Sequence, residues 1–150
     1  MIKSDNYSVN GRKLVIFESV TEIKESEFEN AEFTEIEIKT KGNLKICANA
    51  FKNCKHLRFI TFTNNPKIEV MESAFEGLEE LIKVEYGIFT KIEKDAFKNC
   101  KKLDCIYLAF ATYISDTAFE GCDNFFVMHY DVEDNEYLKV YVDEREIPIE

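Results

Sequence analysis

The side chains best suited to covalent or metal chemistry are five cysteines, Cys47, Cys54, Cys100, Cys105 and Cys122, and two histidines, His56 and His129. A thiolate is a nucleophile and a soft-metal ligand, and a neighbouring imidazole can activate it. Cys105 and His129 are the conceivable nucleophilic pair, but no Asn or Asp is evident to orient the imidazole, and their surface would be open to water. Structural zinc needs paired ligands at short spacing, and the chain has no CxxC. The acidic run "DVEDNE" at 131–136 lacks the Gly and distal Glu of an EF-hand loop. It reads as a solvated loop, with a weak calcium site as the alternative. Five Gly in the whole chain leave no Gly-rich phosphate loop. The residues therefore predict no catalytic group, no metal and no cofactor.

Three of the cysteines belong to a pattern that explains them otherwise. "DAFKNC" at 95–100 is nearly repeated as "NAFKNC" at 49–54, and more loosely as "SAFEGL" at 73–78 and "TAFEGC" at 117–122. The aromatic of this hexamer falls at Phe28, Phe51, Phe75, Phe97 and Phe119, with spacings of 23, 24, 22 and 22 residues. Five copies at one period predict a solenoid. Five residues before each Phe stands Ile23, Ile46, Val70, Ile92 or Ile114. Two before stands Ser26, Asn49, Ser73, Asp95 or Thr117, all favoured helix N-caps. Two after stands Asn30, Asn53, Gly77, Asn99 or Gly121, which tolerate the left-handed conformation that ends a helix. The hexamer so reads as one helical turn with a start and a stop. Three after each Phe come Ala31, Cys54, Leu78, Cys100 and Cys122. A place that takes Ala or Leu wants a small buried filler, so these thiols are expected to be inert. Cys47 and Cys105 lie beside inward positions and are expected to point outward and react more readily.

A strand pattern follows each hexamer. It reads Leu57-x-x-Ile60-x-Phe62, Leu81-x-x-Val84-x-Tyr86, Leu103-x-x-Ile106-x-Leu108 and Phe125-x-x-Met128-x-Tyr130, with Phe33, Ile36 and Ile38 in a first copy one residue shorter. L-x-x-I-x-L followed by I-x-x-x-A-F-x-x-C, over residues 20–130, resembles the BspA-like (Treponema-type) leucine-rich repeat. Two features depart from that pattern: Glu27 replaces its Ala in the first copy, and the proline common after its strand occurs only at Pro66. The expected fold class is α/β: a leucine-rich-repeat, right-handed solenoid with a parallel concave sheet and short helical turns, about five repeats plus terminal caps. One domain spans 1–150, with an N-terminal cap at 1–19, repeats at 20–130 and a C-terminal cap or hairpin at 131–150. "KLVIF" at 13–17 reads as a strand covering the first repeat, and 137–150 as a closing hairpin with its turn near Asp143 and Glu144.

Charge is patterned too. One residue after Phe come Glu29, Lys52, Glu76, Lys98 and Glu120; four after come Glu32, Lys55, Glu79, Lys101 and Asp123. Sign flips at every copy, so stacked neighbours are always opposite, which favours solenoid register more than it builds a basic patch. Net charge is −10 and concentrated near the ends: 18–37 carries eight acids against one base, and 131–150 eight against two. This opposes nucleic-acid binding and anionic membranes. Acidic ends repel end-to-end stacking and predict a monomer. No apolar run is long enough for membrane insertion.

Function is expected on the strand residues facing away from the core. Phe59, Tyr107 and Val127 stand out there, because water alone would select polar residues; Cys105, His129, Lys83 and Glu85 lie among them. The expected role is a non-catalytic protein–protein interaction module with another protein as partner. The resemblance implies a surface or secreted adhesin-type binder. An intracellular scaffold or a structural spacer in a larger assembly is the alternative. The N-terminus lacks a signal-peptide stretch and the cysteine count is odd, which implies the cytoplasm, while the resemblance implies the cell surface or secretion; the sequence leaves the two open.

Overall fold

The computed structural model describes residues 2–108, 113–123, 126–131 and 136–141, leaving aside the side chains of 2–3, 105, 107–108, 126–131 and 136–141. Its strands are β1 (Ile2–Lys3), β2 (Tyr7–Asn10), β3 (Lys13–Ile16), β4 (Glu22–Ile23) and β5 (Glu35–Ile38). Then come β6 (Asn43–Ile46), β7 (Phe59–Phe62), β8 (Lys67–Val70), β9 (Lys83–Glu85) and β10 (Ile88–Ile92). The last are β11 (Cys105–Leu108), β12 (Tyr113–Ile114), β13 (Phe126–Asp131) and β14 (Glu136–Tyr141). They build sheets ordered β1-β2-β3-β5-β7-β9, β12-β10-β8-β6-β4 and β11-β13-β14.

Each of the first four coils gives one strand to the first sheet and one to the second, and its hexamer closes the third side; the fifth gives β11 to the third sheet and β12 to the second. Alternation decides which side chains turn inward. In the first sheet Leu14, Ile36, Ile60 and Val84 form one buried column, and Ile16, Ile38 and Phe62 another. In the second, Ile23, Ile46, Val70 and Ile92 form a column facing them. The hexamer phenylalanines fill the remaining side as a stack: Phe28, Phe51, Phe75, Phe97 and Phe119 follow one another with centroids 5.1–5.4 Å apart and near-parallel planes. No coil could bury these rings alone, so stability resides in contacts between neighbouring coils.

The hexamer is not a helical turn, and no helix occurs among the described residues. Ser26, Asn49, Ser73 and Asp95 have φ of +55° to +59°, whereas an N-cap sits in the β region. The physical reason lies in the backbone donors. A helical turn would use its N–H groups within the chain; here every second one is needed by the next coil. The N–H groups of Ser26, Phe28 and Asn30 donate to the carbonyls of Ala48, Ala50 and Lys52, while those of Glu27, Glu29 and Ala31 donate three residues back. The same alternation recurs through Asn49, Phe51 and Asn53, and through Ser73, Phe75 and Gly77. Left-handed residues at both ends of the turn re-aim the peptides, and short polar side chains tolerate that conformation. The β-branched Thr117 is not among the positive-φ residues, and its hydroxyl instead accepts the Asp95 N–H at 3.3 Å. The stop residues Asn30, Asn53, Gly77, Asn99 and Gly121 are left-handed as the sequence predicts, at φ +60° to +78°. At Gly77 and Gly121 there is a second constraint: a Cβ would collide with the side-chain oxygen of Asn53 or Asn99 in the preceding coil.

Tyr86 also departs from expectation. The pattern places it inward beside Val84, but it lies beyond the end of β9 at φ +67° and is 66% exposed. Its neighbour Gly87 is pressed against Ile68, Phe62 and Phe89, leaving no room there for a side chain. The register irregularity between Phe89 and Lys91 in β10 accommodates the change.

At the N-terminal end, β3 pairs in parallel with β5 in the register of the repeats, as the covering strand should. The antiparallel β1–β2 hairpin then covers the sheet edge, and Tyr7 meets Phe28 edge-on at 5.3 Å. Glu27 has no coil before it to pack against, so it can replace the Ala that is fully buried at position 50, 74, 96 and 118; its carboxylate accepts the Lys24 N–H at 2.8 Å. At the other end β14 pairs antiparallel back onto β13, from Asp131 opposite Glu136 to Phe126 opposite Tyr141. The expected turn at Asp143 and Glu144 lies outside the described residues, as does most of the acidic run after Asp131.

Candidate functional site

The outward face of the first sheet carries two registered rows. Lys13, Glu35, Phe59 and Lys83 are neighbours in one; Val15, Glu37, Thr61 and Glu85 in the other. Lys13 bridges the rows, with Nζ 3.5 Å from Glu35 and 3.4 Å from Glu37. Desolvation opposes its charge, but the two carboxylates outweigh it and hold its pKa above the usual lysine value. Lys83 pairs with Glu85 at 3.6 Å on its own strand. Between these ionic groups Phe59 is 38% exposed, with the Arg58 guanidinium 5.4 Å from its ring centroid.

Three of the predicted residues, Phe59, Lys83 and Glu85, therefore lie together on adjacent strands. Cys105 and Tyr107 lie on β11 and Val127 and His129 on β13, in a different sheet; their side chains lie outside what the structure describes. One backbone bond, Asp104 N–H to Ile82 carbonyl at 3.2 Å, links the β11 segment to the segment entering β9. The β11–β13 ladder runs one residue out of step with the repeat: Val127 is opposite Ile106, where the spacing placed it opposite Cys105. His129 is opposite Leu108, three residues along from Cys105 or ~10 Å of strand, so the backbone does not set Cys105 and His129 side by side.

Arg58, Lys13 and Tyr86 were not anticipated in this region. The sequence did hold a signal for Tyr86, because a Gly following it breaks the strand pattern. Among the described residues the other large exposed aromatic is Tyr113 on the second sheet. That sheet has its own alternating row, Glu22, Lys45, Glu69 and Lys91 in register, beside a shallow depression lined by Thr21, Asn43, Lys45, Lys67 and Glu69.

The cysteines of the hexamer are structural. Cys54 and Cys100 are fully buried and Cys122 is half-buried. Each thiol donates to the carbonyl of a preceding-coil phenylalanine: Cys54 to Phe28 at 3.1 Å, Cys100 to Phe75 at 3.1 Å and Cys122 to Phe97 at 3.0 Å. The position thus rewards Cys with a hydrogen bond that Ala or Leu cannot make. Burial pushes the Cys54 pKa up to about 11 and raises Cys100 well above its usual range. Cys47, expected to be outward and reactive, is half-buried; burial first and Glu22 second raise its pKa, which lowers its thiolate fraction. Among the described residues no group of three or more His, Cys, Asp or Glu side chains could hold a metal ion, and no helix is long and apolar enough to cross a membrane.

Along the first charge row, Lys52 meets Glu76 at 3.6 Å and Lys98 meets Glu120 at 4.0 Å. The second row forms no ion pair among its described members.

The family model described as "BspA type Leucine rich repeat region" matches residues 6–131 in six copies. The match starts before the five copies read from the sequence, and so takes in β3, which shares their strand register. No curated protein and no solved structure matches the chain.

Proposed function

Since the chain belongs to the BspA-type leucine-rich-repeat family, a repeat that serves as a protein-interaction scaffold, we propose that it binds its partner protein on the outward face of the first sheet. The observation that carries this reading is Phe59. It stands exposed between Glu35 and Lys83 in a row that water would keep polar, with the Arg58 guanidinium over its ring. Aromatic and Arg side chains are the usual anchors of protein interfaces, and Tyr86 adds a second exposed ring just past β9. Tyr107 and Cys105 extend the proposed surface onto β11, whereas Val127 and His129 stand in register with the row of the buried Ile106 and are left out of it. The binder is adhesin-type, surface or secreted, on the strength of the family. It acts as a monomer, because both ends are acidic; a salt-resistant dimer in light scattering would overturn that part.

Capture of matrix or cell-surface proteins by the immobilised chain tests the reading. Phe59→Ala with Tyr107→Ala should abolish capture while the melting temperature barely moves. Full capture by the double variant would remove this face from consideration.

A further inference from the structure

Cys100 and Cys122 hold the same place in consecutive coils. Each stands three residues beyond its hexamer phenylalanine, and those two rings stack at 5.3 Å. The backbones are tied on either side of the ring: Phe97 N–H donates to Ala118 at 2.7 Å, and Asn99 N–H to Glu120 at 2.8 Å. A separation of one coil falls inside the Cα window that disulfides tolerate, roughly 4.4–6.8 Å. The thiols also point the same way, each bonded to a carbonyl of the coil before its own. Cys122 Sγ is therefore directed at the coil that carries Cys100. Cys54 has no such neighbour, since Ala31 precedes it and Leu78 follows it at this place.

We propose that Cys100 and Cys122 are a reversible modification site, oxidised by peroxide to a disulfide that staples the fourth coil to the fifth. Cys122 is the half-buried member and meets oxidant first. Its sulfur attacks one peroxide oxygen; the O–O bond breaks, leaving Cys122 as a sulfenic acid and releasing the other oxygen as water once protonated. Cys100 is fully buried and stays a protonated thiol until then. Its sulfur attacks the Cys122 sulfur, the S–S bond forms, the S–O bond breaks, and the departing hydroxide takes the Cys100 proton as a second water. Two thiols and one hydrogen peroxide give one disulfide and two waters. A dithiol reductant reverses the change by exchange.

The test treats the folded full-length chain with one equivalent of hydrogen peroxide, blocks remaining thiols by alkylation, and maps linked peptides. The expected product has lost two hydrogens, joins Cys100 to Cys122, returns to the starting mass with dithiothreitol, and melts about 5–10 °C higher. Cys100→Leu uses the residue that the third coil carries at this place, so the coils can still close; it should leave a sulfenic acid at Cys122 that dimedone traps. Cys122→Leu should abolish both products. A link to any other cysteine, a link that forms only in urea, or Cys122 oxidised past the sulfenic acid while Cys100 stays free, overturns the proposal.

Discussion

Phe89 packs edge-on against Phe62 at 5.9 Å, on the flank where the repeat would have put Tyr86, and Tyr86 stands in solvent instead. Phe89 reaches that space from the second sheet, on the column of Leu44 and Ile68. The fourth coil has two aromatic candidates for one core place, and the phenol, with a hydroxyl to hydrate, is the one that leaves. The cost is a bulky residue at positive φ, a conformation worth of order 1–3 kcal/mol of strain.

Tyr86→Gly should therefore leave stability unchanged or raise it by up to about 1 kcal/mol, whereas Tyr86→Val should lower it by about 1–2 kcal/mol. Phe89→Ala should cost about 3–5 kcal/mol through the cavity it opens. Urea titration of the three variants separates the cases. A loss on Tyr86→Gly as large as that on Phe89→Ala would show that Tyr86 packs.

Glu27 and Ala50 occupy equivalent places with opposite tolerances. Glu27→Ala removes the acceptor of the Lys24 N–H and should cost about 0.5–1.5 kcal/mol. Ala50→Glu forces a carboxylate between coils where the native side chain is wholly buried, and should unfold the N-terminal coils. Hydrogen exchange of the Phe28 and Phe51 amides, both of which bond to the next coil, reads the difference directly.

Lys52→Glu sets three like charges in succession, Glu29, the new Glu and Glu76, and breaks the 3.6 Å pair. The pair is only partly exposed, so a loss of about 0.5–1.5 kcal/mol is expected at low ionic strength. At 1 M salt the Debye length is near 3 Å, and most of the loss should vanish. A loss independent of salt would assign it to packing of the lysine stem.

Alkaline pH should weaken the fold through Cys54. Its thiol holds the proton to about pH 11 in the native chain, against an ordinary value of 9.0. Between those values the unfolded chain binds fewer protons than the native one, so the contribution is fully present below about pH 9 and disappears as pH rises through 11. The most this shift can remove is roughly 2–3 kcal/mol. Cys100 is shifted in the same direction by its own burial. The slope of melting temperature against pH above 9 should flatten in Cys54→Ala and flatten further when Cys100→Ala is added.

The solenoid, its phenylalanine stack and its inward columns were legible because each depends on one residue type recurring at one period. The closure of the hexamer was misread for a related reason. Ser, Asn and Asp favour helix caps and left-handed turns alike, and only the demand of the next coil for a donor at every second peptide selects between them. Tyr86 was misplaced because its rival, Phe89, comes from the second sheet, and position in one strand carries no information about a competitor across the core. Phe59 was legible as an outward residue on its own strand; its Arg58 partner was not, since adjacency in sequence does not say that a guanidinium folds over the ring.

The side chains that cross from coil to coil have a longer period than the coils themselves. After the ring, coils two and four read Lys-Asn and coils three and five read Glu-Gly. Lys52 and Lys98 meet Glu76 and Glu120, while the amides of Asn53 and Asn99 lie against the backbones of Gly77 and Gly121. Phe51 and Phe97 are 46 residues apart, and that is the true module of the array. Inserting a single coil would set Glu on Glu or Lys on Lys; inserting two restores the alternation of charge. An array of this kind should lengthen or shorten by coil pairs, and a designer grafting extra length into this chain should cut and join it at that interval.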